Sequence, residues 1–389
     1  MNDSLNLYSP QSQNGIQLSD RLLAIYSLVL ILIGTPCNLL CCLIYFQKEN
    51  RTNSIKTIFG YLAILDTIVL YTFNLNYVVR EFNIDYELVY YNKNISINEY
   101  SDFFINDNIN IMIVKKNLEE YSLFTCRFLS YLAFSTLQTS SWILAFGSLN
   151  RYLLISKLTL FQFICKRSYT TVICLCITCL FFLANIHILW MNGYHSLTGN
   201  IICYQNKYYD NYILWYQRIH LCLYSALPSV ILFILNILLI RIICASKKRL
   251  HDHKRRASSS TTSTKRDSHR KSLSLTYWSK SSSGKSNRNN SARSIKCTSR
   301  KLTLSLIFIT VSYFILTFPS TVIFSFFRSY IEPLSLRRTL SLLFTNLSTT
   351  THVIRFFIYY FCSIDFRNDF YNLFSCKRSF RFQFIKTKQ

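Results

Sequence analysis

Seven long apolar stretches divide this chain, near residues 21–46, 55–79, 122–150, 169–190, 212–244, 302–327 and 338–361. A helix rises about 1.5 Å per residue, so roughly 20 apolar residues cross a hydrocarbon layer about 30 Å thick, and each stretch reaches that length. Backbone polar groups in lipid must find partners within the chain, which restricts spanning structures to helices and closed barrels. Half of the 389 residues are hydrophobic, with 31 Phe and 27 Tyr against 7 Gly and 5 Pro. That balance suits aromatic-rich helices better than short strands joined by tight turns. The expected fold class is an all-α membrane protein, a seven-transmembrane helix bundle. Its expected parts are an outer tail over 1–20, the bundle over 21–361 and a terminal segment over 362–389. Met1 to Asp20 lack the basic start and small-residue cleavage site of a secretory signal, so the first helix is expected to serve as its own anchor.

Charge gives the orientation. Arg241 to Lys301 hold 18 Lys/Arg and 2 Asp, whereas Arg80 to Glu120 hold 4 basic and 8 acidic residues. Basic loops stay on the cytoplasmic side, which places the amino terminus outside and the carboxyl terminus inside a multi-pass plasma-membrane protein. Residues 245–300 are rich in Ser, Thr, Lys and Arg without apolar periodicity, the composition of a disordered cytoplasmic loop. A basic run such as Lys254-Arg255-Arg256 suits nucleic acid in other settings. Here it is tethered between membrane helices, so anionic lipid and an acidic face of a cytosolic partner fit it better. Arg255-Arg256-Ala257-Ser258 and Arg270-Lys271-Ser272 are similar to sites for basic-directed kinases.

Most of the 14 cysteines lie inside the stretches, where Cys packs as a small hydrophobe. Cys174, Cys176 and Cys179 spread around a helix axis with no His, Asp or Glu within four residues, so they are read as packing residues and no metal site is expected. Cys126 and Cys203 stand on the outer side, either as two free thiols or, as the oxidising compartment favours, as a bridge from the loop before helix five to the head of helix three. The outer face also carries glycosylation sequons at Asn2 and Asn94; matching sequons at Asn289 and Asn346 fall in the inner loop and inside helix seven.

Intramembrane charge is the sharpest signal. Asp66 and Arg355 each lie about 16 Å from the inner end of their helices by helical rise. An isolated charge at that depth costs at least about 2.5 kcal/mol, so the matched depth points to a pair inside the bundle, with Asn38 and Ser140 as further hydrogen-bonding groups. The alternative is an Arg355 that reaches water beside a protonated Asp66. His187, His220 and His352 are isolated along their helices, which favours packing or hydrogen bonding over metal ligation.

With these residues in view, the chain resembles the rhodopsin-like G-protein-coupled receptors. Gly34-Thr35-Pro36-Cys37-Asn38 is similar to the family's helix-one Asn motif, Leu62-Ala63-Ile64-Leu65-Asp66 to its helix-two motif, and Asn150-Arg151-Tyr152 to its Asp-Arg-Tyr. The spacing from Cys126 to Arg151 is also similar to the family's. Pro228 and Pro319 resemble the prolines of helices five and six. Ile358-Tyr359 followed by Phe366-Arg367 resembles the end of helix seven and a short amphipathic helix, and Cys376 a palmitoylated tail cysteine.

The resemblance implies an extracellular ligand, a heterotrimeric G protein meeting Asn150, Arg151 and Tyr152, a conformational switch through Pro228, Thr317, Pro319 and Tyr359, and kinases and arrestin as further partners. It implies no cofactor and no covalent chemistry, and the chain shows no nucleophile, base and orienter set. Four departures stand out. Asn150 replaces an acid, Thr317 a Trp, and Arg355 and Phe356 an Asn-Pro pair, while the family's helix-four Trp has no counterpart. Arg355 is also placed to supply the positive charge that the family takes from a sodium ion near the helix-two Asp. Ala133 and Thr349 occupy positions where amine receptors carry Asp and opsins carry Lys, which argues against both ligand classes. The acidic loop from Glu81 to Glu120 suits a basic peptide, with a simply solvated loop as the alternative. A receptor-like protein that signals poorly, and a transporter or channel lined by Asp66 and Arg355, remain as alternatives.

Overall fold

A computed structural model describes residues 10–47, 54–82, 87–90, 111–114, 117–156, 163–196, 201–203, 210–263, 283–323, 331 and 334–374. The principal helices are α1 (Pro10–Tyr45), α2 (Ser54–Phe82), α3 (Leu123–Ser156), α4 (Arg167–Met191), α5 (Asp210–Leu221, continuing through Leu227–Ser263), α6 (Ser283–Val322) and α7 (Leu334–Cys362). A short α8 follows over 364–374. Strands β1 (Glu87–Tyr90) and β2 (Ile111–Val114) pair antiparallel between α2 and α3, and β3 (Tyr194–His195) pairs with β4 (Ile201–Ile202) between α4 and α5.

Among the described residues, α1, α2, α4, α5 and α6 are long and apolar enough to cross a membrane by length and composition. The other two expected spans, α3 and α7, are long enough at 34 and 29 residues but more polar. Position explains the difference. α3 packs against α2, α4 and α5, and α7 against α1 and α6, so their polar side chains face protein rather than lipid. Thus Ser135, Thr136, Gln138, Thr139, Ser140 and Ser141 are all buried on consecutive turns of α3. α4 is the converse, with Leu175, Leu180 and Leu183 exposed on its outer face. Of its three close cysteines, Cys174 is buried whereas Cys176 and Cys179 are exposed, so the thiols diverge as the helical spacing requires.

Two helix ends differ from the expected spans. α1 starts at Pro10 rather than near residue 21, and a proline is well suited to a first helical position because its missing N–H would have no helix partner there. α5 continues to Ser263 and α6 begins at Ser283, so both flanks of the expected disordered loop over 245–300 are helical; 264–282 lie outside the described residues. A helix leaving the membrane needs no new nucleus, and Lys and Arg propagate it readily.

Close packing and polar bridges hold the bundle. A Cβ on Gly34 would lie 2.5 Å from Leu70 and 2.8 Å from Val353, so the glycine lets α1 approach α2 and α7. One turn pair further along, buried Asn346 of α7 joins three helices: Ser27 Oγ donates to its Oδ1 at 2.6 Å, Asn74 Nδ2 to the same oxygen at 3.0 Å, and its own Nδ2 donates to Leu23 O at 2.9 Å. Asn74 closes a π-helical turn, Leu70–Asn74, inside α2. A second π turn, Cys222–Ala226, interrupts α5.

Candidate functional site

The centre of the bundle holds a charged cluster. Arg355 Nη1 donates to Asp66 Oδ1 at 2.5 Å and to Oδ2 at 2.8 Å, and His352 Nδ1 lies 2.7 Å from Oδ1. Ser140 Oγ completes the shell at 3.5 Å from Oδ1 and accepts from Arg355 Nη1 at 3.4 Å. All four residues are buried. The pair that depth matching suggests is therefore formed, and the alternative of an Arg355 reaching water is not what the geometry shows. Asn38 is buried too, but its Nδ2 has no hydrogen-bond partner among the described residues. His352, isolated along its helix in the sequence, is the further member of the cluster. It stands one turn before Arg355, so both reach the same carboxylate from α7, and that i, i+3 spacing was the available signal.

At one end of the bundle lie Asn150, Arg151 and Tyr152. Asn150 is fully buried: Ser54 Oγ donates to its Oδ1 at 3.3 Å, and its Nδ2 donates to Thr170 Oγ1 at 3.4 Å. It thus ties α3 to α2 and α4 through both ends of its amide and supplies no charge to its neighbour. Arg151 is 2% exposed, with Nε and Nη2 lacking any hydrogen-bond partner and no carboxylate within ion-pair distance among the described residues. Tyr152 is half-buried beside it. At the same end, α8 is capped by Ser363 Oγ, which accepts from Phe366 N at 3.3 Å, and is clamped to α2 by a 2.8 Å ion pair between Lys56 and Asp369. The ring of Tyr359 packs there among Tyr45, Phe59 and Phe366.

At the other end a disulfide joins Cys126 to Cys203, with Cα atoms 5.9 Å apart. It fastens the chain after β4 to the head of α3. Gly193, just before β3, has φ +75°, and a Cβ there would come within 2.7 Å of Cys126 Sγ, so both conformation and space call for glycine. Asn2, Asn94 and Cys376, the residues expected to carry glycans and a lipid, lie outside the described residues.

Seven long helices, a disulfide from α3 to the loop before α5, and an arginine at the opposite end of α3 form the frame that the sequence resemblance implies. Residues 101–365 match the profile of the 7 transmembrane receptor (rhodopsin family), which is more than half of the chain. This chain belongs to the rhodopsin family. The receptor is accordingly a multi-pass plasma-membrane protein, and Asn38 and Asp66 lie before the matched span. No curated protein matches it.

Within the receptor, the expected switch residues occupy distinct settings. Thr317 is buried and accepts a 3.5 Å hydrogen bond from Ser348 of α7, a small hydroxyl where the family carries a large indole. Pro319 lies inside α6 and leaves the Ile315 carbonyl without its helical donor, a site where a helix bends. Pro228 follows the π turn of α5. Ala133 and Thr349 are both buried.

Proposed function

We propose that this receptor transduces an extracellular ligand, a peptide, to a heterotrimeric G protein. The amino terminus and the disulfide face outward, and the basic connection from α5 to α6 faces the cytoplasm, in line with the distribution of Lys and Arg. The observation that carries the reading is Arg151: a buried guanidinium beside Tyr152 that, among the described residues, has two unpartnered donors and no carboxylate within ion-pair distance, at the end that the basic segments mark as cytoplasmic. An acceptor from a cytosolic protein would satisfy those donors when α6 swings out about Pro319. A ligand favours that state only to the extent that it binds it better than the resting one. The loop from Glu81 to Glu120, with 8 acidic and 3 basic residues, supports a basic peptide through electrostatic steering. Anionic lipid would hold the basic α5–α6 connection and the tail, and phosphorylation there by kinases would prepare an arrestin site.

The test is G-protein activation in cells expressing the receptor or its Arg151→Ala variant, with a panel of amidated neuropeptides and surface expression measured in parallel. A peptide response that disappears in the variant at equal surface level is expected. Silence of the parent in every coupling assay, with ligand binding retained, would instead favour a receptor-like protein that does not signal. That second reading draws on Asn150, in the coupling motif, and Thr317, among the switch residues, both of which depart from the family's pattern. The mutual pairing of Asp66 and Arg355 argues against a permeation route, since each charge already has its counter-ion.

A further inference from the structure

Two backbone carbonyls of α5 are released from helical bonding by neighbouring features of the sequence. In the π turn the Leu227 N–H reaches back to Cys222 O, which leaves Leu223 O without its usual i+4 donor. The usual donor to Tyr224 O would be residue 228, a proline with no N–H. Buried carbonyls must find partners, and both do so on other helices. Trp142 Nε1 of α3 donates to Leu223 O at 3.0 Å, and the hydroxyl of Tyr313 on α6 donates to Tyr224 O at 2.8 Å. The Tyr224 side chain is held in turn by a 2.9 Å hydrogen bond to Ser348 of α7.

Bonds between α5 and α6 lie on both sides of Pro319. Towards the disulfide end, Thr321 Oγ1 donates to Ser225 Oγ at 2.6 Å. Towards the Arg151 end, besides Tyr313 on Tyr224 O, Asn236 Nδ2 donates to Thr310 Oγ1 at 2.6 Å. A swing of α6 about Pro319 leaves the first bond in place and breaks the other two. Tyr313 is almost fully buried, so the carbonyl beneath its hydroxyl loses its donor where water does not replace it.

We infer that the Tyr313 hydroxyl, seated on the Tyr224 carbonyl that Pro228 leaves without a helical donor, is the latch holding the Arg151 half of α6 against α5. The inference rests on the reading above that the receptor signals by moving α6, and it names the contact that opposes the motion. Tyr313→Phe removes one hydroxyl and keeps the ring, so the packing of a large buried side chain survives.

The experiment compares the purified full-length receptor with its Tyr313→Phe and Thr321→Val variants in lipid nanodiscs, by hydrogen–deuterium exchange and mass spectrometry. Basal loading of a non-hydrolysable GTP analogue onto purified heterotrimers of each Gα class is measured alongside. Loss of one ordinary hydrogen bond moves a two-state population by about fivefold. The expected result is therefore about fivefold faster exchange over residues 303–316 in Tyr313→Phe, with α1 and α2 unchanged, and no such gain in Thr321→Val. No gain, an equal gain in both variants, or a gain spread evenly over α1 and α2 would overturn the latch. A gain confined to α6 with no nucleotide loading by any variant would keep the latch and remove the G-protein reading.

Discussion

Arg355 and Arg151 are both buried to about the same degree, yet their surroundings are opposite. Arg355 reaches a carboxylate on another helix, which is itself held by His352 and Ser140. Both arginines leave Nε and Nη2 without a hydrogen-bond partner among the described residues, but Arg151 also has no carboxylate within ion-pair distance there, and the adjacent Asn150 is engaged by Ser54 and Thr170. Taking a guanidinium out of water is costly, and a well-placed anion offsets much of that cost. The first arginine is therefore stabilised by the fold in this conformation. The second is left uncompensated in it, as suits a group whose acceptor comes from outside the chain or from another arrangement of the helices.

The largest expected effect tests the first half of that contrast. Arg355→Ala or Asp66→Ala leaves one unpaired charge in the bundle and should reduce stability by about 3–5 kcal/mol. The drop would appear as a lower thermal midpoint and poor surface expression. The double variant Asp66→Asn with Arg355→Gln carries no charge and should recover more than half of the loss; failure to recover would mean that the two charges do not act as a pair. Asn150→Asp then probes the second half. It places an acid beside Arg151, keeps an acceptor for Ser54 Oγ and gives up the Nδ2 donor to Thr170 Oγ1, whose own hydrogen goes to Ile164 O; a hydrogen bond to a charged group contributes about 1.5–3 kcal/mol, more than the ordinary bond lost. Basal G-protein output should fall and the thermal midpoint should rise, whereas an unchanged midpoint would show that Arg151 does not lack an acceptor. The smallest effect is on the stability of Arg151→Ala. Lost packing of the stem and relief of the buried charge oppose each other, so the variant should stay within about 1 kcal/mol of the parent. A loss as large as that of Arg355→Ala would erase the contrast between the two arginines.

The helices were legible at different levels. α1, α2, α4, α5 and α6 announce themselves by hydropathy because lipid selects apolar side chains at every exposed position. α3 and α7 were found as stretches although they are more polar, because long runs free of acidic residues still separate their charged groups. Of the charged centre, Asp66, Arg355 and Ser140 were readable from depth and from family position, whereas His352 was not joined to them. Asn346 was noticed as an unreachable sequon, and its bridge from α7 to α1 and α2 came only with the structure. Tyr224, Tyr313 and Ser348 escaped sequence reading altogether. Nothing in a tyrosine's sequence neighbours tells which helix its hydroxyl will meet.

Sequence by itself therefore determined the number of membrane crossings, the family, the two buried arginines and the absence of an acid next to Arg151. Each of these follows from composition along one helix, or from spacing within it. The tertiary structure decided which polar atoms pair between helices: Asp66 with His352 as well as Arg355, Asn150 with Ser54 and Thr170, and Tyr313 with the carbonyl freed by Pro228. Such pairs depend on the rotation and depth of each helix against its neighbours. Those quantities are set by the packing of the whole bundle, and no single stretch of sequence contains them.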